Sequence, residues 1–323
     1  MTTVVPYVHP VQNTPLEEHG DGLVDPSSGE RFPTIRGVPR FCDSQNYSNS
    51  FGYQWNIFDK TQLDTFSKVE HSAARFFGES GWTSDELEDC RTLEVGSGAG
   101  RFSEVFLRST KGILHSIDSS NAVEVNWQSN NHYGHRLRLS QASIYSMPFP
   151  DNSFDKVFCF GVLQHTPSFE DSVTALISKA RIGGEIAVDF YPIRGWYTKF
   201  HSKYILRPFT KRLPQPVLLS LIRRNIKWLL FVFDLLCSAK LGILTRFIPI
   251  TDVRTFPAKL TREQRREWAI MDTFDGLSPE YDNPQRLESV VTMFERNGCK
   301  VHFAGLAFYP GGASTVVRAT KIR

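Results

Sequence analysis

The chain has 323 residues, of which 41% are hydrophobic and 22% charged, an ordinary globular composition with room for one large domain and additions or for two modest ones. A formal net charge of +3 leaves the whole-molecule balance uninformative about partners. The five cysteines, Cys42, Cys90, Cys159, Cys237 and Cys299, are odd in number and form no C-x-x-C pair, which argues against a disulfide framework or a zinc site and fits free thiols in a reducing cytoplasm.

In chain order, residues 1–61 are expected to be an N-terminal extension. They begin rich in Pro, Gly and polar residues, with strand-like pieces such as Arg31–Val38. Met1 to Pro15 lacks the basic start and apolar run of a signal peptide. An aromatic segment, Tyr47 to Trp55, follows. Residues 62–191 are expected to form the core. A helix is predicted over Gln62–Phe77, and from Thr92 short apolar strands alternate with helical stretches, the signature of a parallel sheet with crossover helices. The strands are placed at Thr92–Val95, Gly112–Ile117, Arg136–Ala142, Lys156–Phe160 and Glu185–Tyr191, and the helices at Arg101–Arg108, Ala122–Asn130 and Glu170–Ala180. Gly183 and Gly184 are expected to close the last helix.

Residues 192–283 break this rhythm and contain Pro208, Pro214, Pro216, Pro249 and Pro257; they read as an inserted cap. Trp228 to Phe233 is fully apolar, but Asp234, Arg223, Arg224, Lys227 and Lys240 interrupt or flank it. A spanning helix needs about 20 predominantly apolar residues, so this stretch fits a buried or interfacial helix. In residues 284–323, Asn283-Pro284 is expected to start a helix that Gly298 ends, with an apolar stripe of Leu287, Val290, Val291 and Phe294. Strands follow at Lys300–Leu306 and Ser314–Thr320. The predicted fold class is α/β: a doubly wound, mostly parallel seven-stranded sheet with an N-terminal extension and a helical cap between strands five and six.

The most informative motif is Glu94-Val95-Gly96-Ser97-Gly98-Ala99-Gly100-Arg101. A strand runs into glycines at alternate positions and a helix opens behind them, which lets the backbone turn tightly and approach a ligand. Amide groups at the helix start favour polar or anionic ligand groups. A dinucleotide site wants G-x-G-x-x-G, but Arg101 stands where its third glycine belongs. Glu94, before the first glycine, would repel a pyrophosphate and suits a cationic ligand with an amino-acid tail.

E-x-G-x-G-x-G resembles the first motif of class I S-adenosylmethionine-dependent methyltransferases. The resemblance implies a Rossmann-like methyltransferase sheet and S-adenosyl-L-methionine as cofactor. Asp118, ending the second strand, is then placed on the ribose hydroxyls with Ser119 beside it, although Asp118 also fits a helix cap. The stretch from Gln141 to Pro167 resembles the family's run from the adenine site through strand four. Ser143 stands where the family often has Asp, and the amide of Ile144 is the second adenine contact. Phe160, Gly161 and Val162 fall beside the methionine part. Cofactor contacts are therefore expected from Glu94, Gly96, Gly98, Gly100, Asp118, Ser119, Ser143, Ile144, Phe160, Gly161 and Val162, with no metal. No Asn-Pro-Pro-Tyr-like run is present, which argues against base or amide nitrogen as acceptor. Phe51 to Trp55, Tyr204 to Pro214 and Trp268 to Asp282 resemble a bacterial branch frequently associated with surface glycan synthesis. Leu23 to Phe41 resembles a small zinc-ribbon-like module without its cysteines.

Methyl transfer to a hydroxyl needs alignment and a group to take the proton. His165, Asp189 and Tyr191 lie near strand ends, and His165 is the first candidate base; Asp272 and Asp275 are candidates to orient substrate, with helix capping as the alternative. The segment Arg194–Glu267 holds 16 Lys and Arg against 4 acids, which suggests an anionic acceptor or a phospholipid surface, or else a solvated helix face balanced by the acidic core. The expected activity is methylation, on oxygen, of a small molecule, glycan or glycolipid precursor. The alternatives are an RNA or lipid methyltransferase using the basic cap, and a non-catalytic S-adenosylmethionine-binding partner. Nucleic acid is the less favoured partner. The expected location is cytoplasmic, with residues 217–250 as the candidate membrane contact.

Overall fold

In one central strand Val157 and Cys159 pack into one apolar cluster, while Phe158 between them packs into another. Alternate side chains of a strand point to opposite faces, and a parallel strand covered on both faces must be apolar on both. The computed structural model describes residues 4–43, 46–195, 198 and 200–323. Its core strands are β5 (Arg91–Val95), β6 (Ile113–Asp118), β7 (Leu137–Gln141), β8 (Phe154–Cys159), β9 (Ala180–Phe190), β10 (Cys299–Tyr309) and β11 (Gly312–Lys321), preceded by the short β1 (Glu17–His19), β2 (Gly22–Val24), β3 (Arg31–Ile35) and β4 (Val38–Pro39). The seven-stranded sheet runs β10-β11-β9-β8-β5-β6-β7. The pairs of β5 with β6 and β8, of β6 with β7 and of β8 with β9 are parallel, and β11 is antiparallel to both neighbours. This is the doubly wound, mostly parallel seven-stranded sheet expected from the sequence, its winding reversing at β5.

The helices are α1 (Asn49–Ile57), α2 (Asp64–Ser67), α3 (His71–Ser80), α4 (Ser84–Leu87), α5 (Arg101–Ser109), α6 (Ala122–Asn130), α7 (Phe169–Lys179), α8 (Ser202–Thr210), α9 (Gln215–Ser238), α10 (Arg262–Leu277) and α11 (Leu287–Arg296). Phe76, Phe102, Phe106 and Val123 of α3, α5 and α6 cover one face of the sheet, and Val173, Leu176, Val290 and Phe294 of α7 and α11 cover the other. Between β9 and β10 the chain forms α8, α9 and α10. Leu218, Ile222, Ile226 and Phe233 of α9 pack with Ile270 and Phe274 of α10 in a third apolar cluster.

The N-terminal strands form a separate four-stranded antiparallel sheet, with a tight turn at Arg36 and Gly37, both at positive φ. It lies against the outer edge of β7, where the Phe41 amide donates to the Gln141 carbonyl at 2.8 Å and Arg40 donates to the Gln141 side chain at 3.0 Å. An uncovered edge strand invites pairing with other chains, and this extension covers it.

Three local expectations need correction. The helix predicted over Gln62–Phe77 is two helices, because the Asp64 carboxylate accepts the amides of Ser72 and Ala73 at 2.9 and 2.8 Å and so caps α3, folding α2 back through Lys68 at φ 59°. Gly183 and Gly184 do not close α7, which ends at Lys179. They lie within β9, where its pairing with β8 shifts register, and a Cβ on Gly184 would meet the Phe154 carbonyl at 2.9 Å. Asn283-Pro284 does not start α11. Asn283 instead donates to the carbonyls of Gln164 and Thr166 at 2.7 and 2.8 Å, and the helix begins at Leu287.

Phe294 is fully buried between α11 and the sheet. Truncation of such a side chain costs about 3–5 kcal/mol. We expect Phe294→Ala to lower the unfolding free energy by that amount in a urea titration, with the m-value unchanged.

Candidate active site

A cavity of about 770 Å³ lies where the carboxyl ends of β5, β6, β8 and β9 meet the cap and α1. Strand ends beside a change in strand order leave such a crevice. Its floor is the bend after β5. Gly96 and Ser97 donate their amides to the Ile117 carbonyl at 2.7 and 3.1 Å, and Gly98 donates to the Asp118 carboxylate at 2.8 Å. Gly96 and Gly98 both have positive φ, and a Cβ would strike Val162 at 2.2 Å in the first and the Trp55 indole at 2.9 Å in the second. Only glycine leaves this floor open.

Gly96, Gly98, Asp118, Ser119, Ile144, Phe160, Gly161, Val162, His165, Asp272 and Asp275 all line the cavity. Asp118 has a double task. One oxygen accepts the amide and hydroxyl of Ser120 at 2.8 and 2.7 Å, in the turn before α6 and not at its cap, which is Asn121; the other accepts Gly98 and keeps one acceptor site. Burial raises its pKa against these hydrogen bonds.

Glu94, Gly100 and Ser143 are not part of the wall. Glu94 points to the opposite face from Val95, where its carboxylate accepts the hydroxyls of Ser103 and Ser116 at 2.5 and 2.8 Å. Burial pushes its pKa up to about 7, so the expected anionic partner for a cation is a buried structural group. Gly100 serves packing: its Cβ would lie 2.3 Å from Asn126 of α6. Ser143 accepts the Tyr145 amide at 3.2 Å in a local turn.

His165 is buried among Phe51 and Tyr191. Its Nδ1 lies 3.0 Å from the Tyr281 carbonyl. A carbonyl only accepts, so Nδ1 carries the proton and Nε2 presents its lone pair, 4.0 Å from Asp275. Burial, with Lys203 and Arg207 nearby, pushes the imidazole pKa down to about 3, which keeps it neutral. Asp275 also accepts from the Gln54 amide at 3.3 Å and is raised by burial. Asp189 accepts the Gly161 amide and the Arg75 guanidinium at 2.7 Å, which commits both its oxygens to structural contacts. The Tyr191 ring lies under the Lys203 ammonium at 4.1 Å, and Lys203 and Arg207 share Asp282 at 2.5 and 2.7 Å.

Sequence reading missed Arg101, Arg75 and Gln62. Arg101 is 8% exposed yet faces the cavity; it donates to Ser72 and Gln62 at 2.9 and 3.0 Å, while its Nη2 has no hydrogen-bond partner among the described residues. No carboxylate lies within ion-pair distance of it among the described residues. Burial and the neighbouring Arg75 lower its pKa to about 10, so it remains a cation that an anion would relieve. Its place directly after the glycine bend was the available signal. Arg75 gave none, since it falls between the core residues of α3.

Residues 93–188 match the methyltransferase domain family. A stretch of 111 residues is 29% identical to the tRNA U34 carboxymethyltransferase of Pseudoalteromonas atlantica, covering 34% of each chain; the chain thus spans about a third of that relative's length. Among solved structures, the magnesium protoporphyrin IX methyltransferase of Synechocystis with bound S-adenosylhomocysteine is 15% identical over 85% of this chain and 96% of that one, TM-score 0.45. The YcgJ protein of Bacillus subtilis is 13% identical over 79% and 100%, TM-score 0.43. The domain match, taken with the strand order above, supports a class I S-adenosylmethionine-dependent methyltransferase domain.

Asp272 provides a pH test of the cavity. Burial and the Asp275 charge push its carboxyl from 3.8 to about 7. Between those values the unfolded chain has released a proton that the folded chain retains, so this group's contribution to stability falls as pH rises through the window. Asp272→Asn should raise the melting temperature relative to the parent at about pH 8 and much less at about pH 4, measured by scanning calorimetry at both.

Proposed function

We propose that this chain binds S-adenosyl-L-methionine on the glycine bend and methylates a hydroxyl oxygen of an anionic small molecule, glycan or lipid-linked glycan precursor. The observation that carries the reading is the juxtaposition of the open Gly96–Gly98 floor and Asp118 with a buried neutral His165 in the same cavity. The residues present fit the cofactor: a cradle that any Cβ would fill, one free acceptor site on Asp118, and a buried Arg101 whose Nη2 has no hydrogen-bond partner among the described residues. When bound, it supplies an activated methyl group on a sulfonium centre.

In this reading Asp118 accepts a hydrogen bond from a ribose hydroxyl, Ser119 borders the sugar and the Ile144 amide reads the adenine edge. Gly161 leaves room beside the amino-acid tail, between Phe160 and Val162, and Arg101 receives the tail's carboxylate. Alignment of acceptor and donor supplies most of the rate. The acceptor hydroxyl gives up its proton to Nε2 of His165, whose tautomer is set by the Tyr281 carbonyl, and Asp275 opposite stabilises the imidazolium formed. Asp272 orients the acceptor from α10. The positive excess of residues 194–267 supports a negatively charged acceptor, and the branch resemblance of the aromatic and cap segments supports a glycan. The tRNA-modifying relative and the same positive excess favour RNA as the second reading. Steep salt dependence of tRNA retention on a filter, with methyl incorporation into that tRNA, would favour it.

Calorimetric titration with S-adenosylhomocysteine should show binding that Asp118→Ala and Arg101→Met each weaken about tenfold or more, with melting temperatures recorded to exclude unfolding. Preference for a nicotinamide dinucleotide would overturn the reading. His165→Ala should leave that affinity unchanged and reduce transfer of labelled methyl into a cell extract by about a hundredfold or more; undiminished transfer would remove His165 from the chemistry.

A further inference from the structure

Helix α9 has two apolar faces, and the protein covers only one. Leu218, Ile222, Ile226, Leu229 and Phe233 are buried against α10 and the segment before it. At 3.6 residues per turn, Val217, Leu221, Trp228, Phe231 and Leu235 form a second stripe on nearly the opposite side. All five are exposed, Trp228 and Phe231 at 64% each. Arg224 lies within this stripe and Lys227 along its border, with Arg223 a step further round, its guanidinium 5.8 Å from the Phe58 ring. All three are exposed, and none has a carboxylate within ion-pair distance among the described residues. The turn Gly242–Phe247 continues the surface with exposed Ile243, Leu244 and Phe247. It leads directly into Pro249, Ile250 and Thr251 of the cavity wall.

We propose that this outer face of α9, with the turn that follows, docks on an anionic lipid bilayer, α9 lying in the plane of the interface. Three observations favour a bilayer. Indole and phenyl rings bordered by cations match a boundary that is apolar below and negatively charged at its surface. Arg224 and Lys227, exposed at the stripe and without a carboxylate in ion-pair distance among the described residues, complement that charge and would repel a second copy of the same face. No helix among the described residues is long and apolar enough to cross a membrane, so the contact is peripheral. The inference does not depend on the methyltransferase reading, because binding is measured without turnover. If both hold, the acceptor reaches the cavity from the membrane side of the cap.

The test is co-sedimentation of the whole chain with phosphatidylcholine vesicles, alone and with roughly 30% phosphatidylglycerol. The parent should pellet with the anionic vesicles at least tenfold more than with the neutral ones, and salt should release it. Two variants at exposed positions separate the contributions: Trp228→Ser with Phe231→Ser removes the rings, and Arg223→Gln with Arg224→Gln and Lys227→Gln removes the charges. Each should reduce pelleting about tenfold or more while the melting temperature is kept. A parent that stays in the supernatant with both vesicles overturns the proposal, as does pelleting that the ring variant leaves intact. A chain that is dimeric by gel filtration, becomes monomeric in the ring variant and ignores vesicles would assign the face to a second copy instead.

Discussion

The organising constraint is the bend that leaves β5. The chain must reverse within a few residues at the carboxyl edge of the sheet and still leave backbone exposed to a ligand. Two amides of the bend are bound by the Ile117 carbonyl and a third by the Asp118 carboxylate, so the end of β6 holds the end of β5 in place. The same arrangement takes away steric freedom: Val162 and Trp55 approach so closely that a side chain on Gly96 or Gly98 has nowhere to go. Strand, bend and helix are thus one mechanical unit, and the cavity floor is its upper surface.

The other wall is assembled from distant chain segments. Gln54 comes from α1, His165 from the turn after β8, Lys203 from α8 and Asp275 from α10. Their mutual burial matters more than any single contact. In a medium poorer in water than the surface, desolvation favours neutral forms, which lowers the pKa of His165 and raises those of Asp272 and Asp275. Backbone contacts complete the setting. The Tyr281 carbonyl fixes the imidazole tautomer, and Asn283, two residues on, anchors the same loop to the carbonyls around His165.

Much of this was legible beforehand where the signal was periodic or local. The four strands β5 to β8 fell close to their predicted places because each is a short apolar run bounded by turns, β9, β10 and β11 extend beyond theirs, and α6 matched its predicted ends. The errors share a cause. Asp64, Asn283 and the Gly183-Gly184 pair were read by their local meaning as helix interior, helix cap and helix end. Each is instead committed to a partner outside that frame: Asp64 to α3, Asn283 to the turn bearing His165, and Gly184 to a neighbouring strand. Glu94 was assigned to the ligand on its proximity to the glycines, yet strand alternation turns it away from the cavity.

By itself the sequence determined the sheet, its crossover helices and the glycine bend, because these depend on backbone conformation and on side-chain periods of two and 3.6 residues. It also determined which residue types were available for chemistry. Only the tertiary structure decided which of them share a cavity, which nitrogen of His165 is free, that Arg101 is buried with no carboxylate in ion-pair distance among the described residues, and that α9 keeps an apolar stripe in the open. Those properties arise from segments far apart in the chain excluding water together, and no local pattern records which segments will meet.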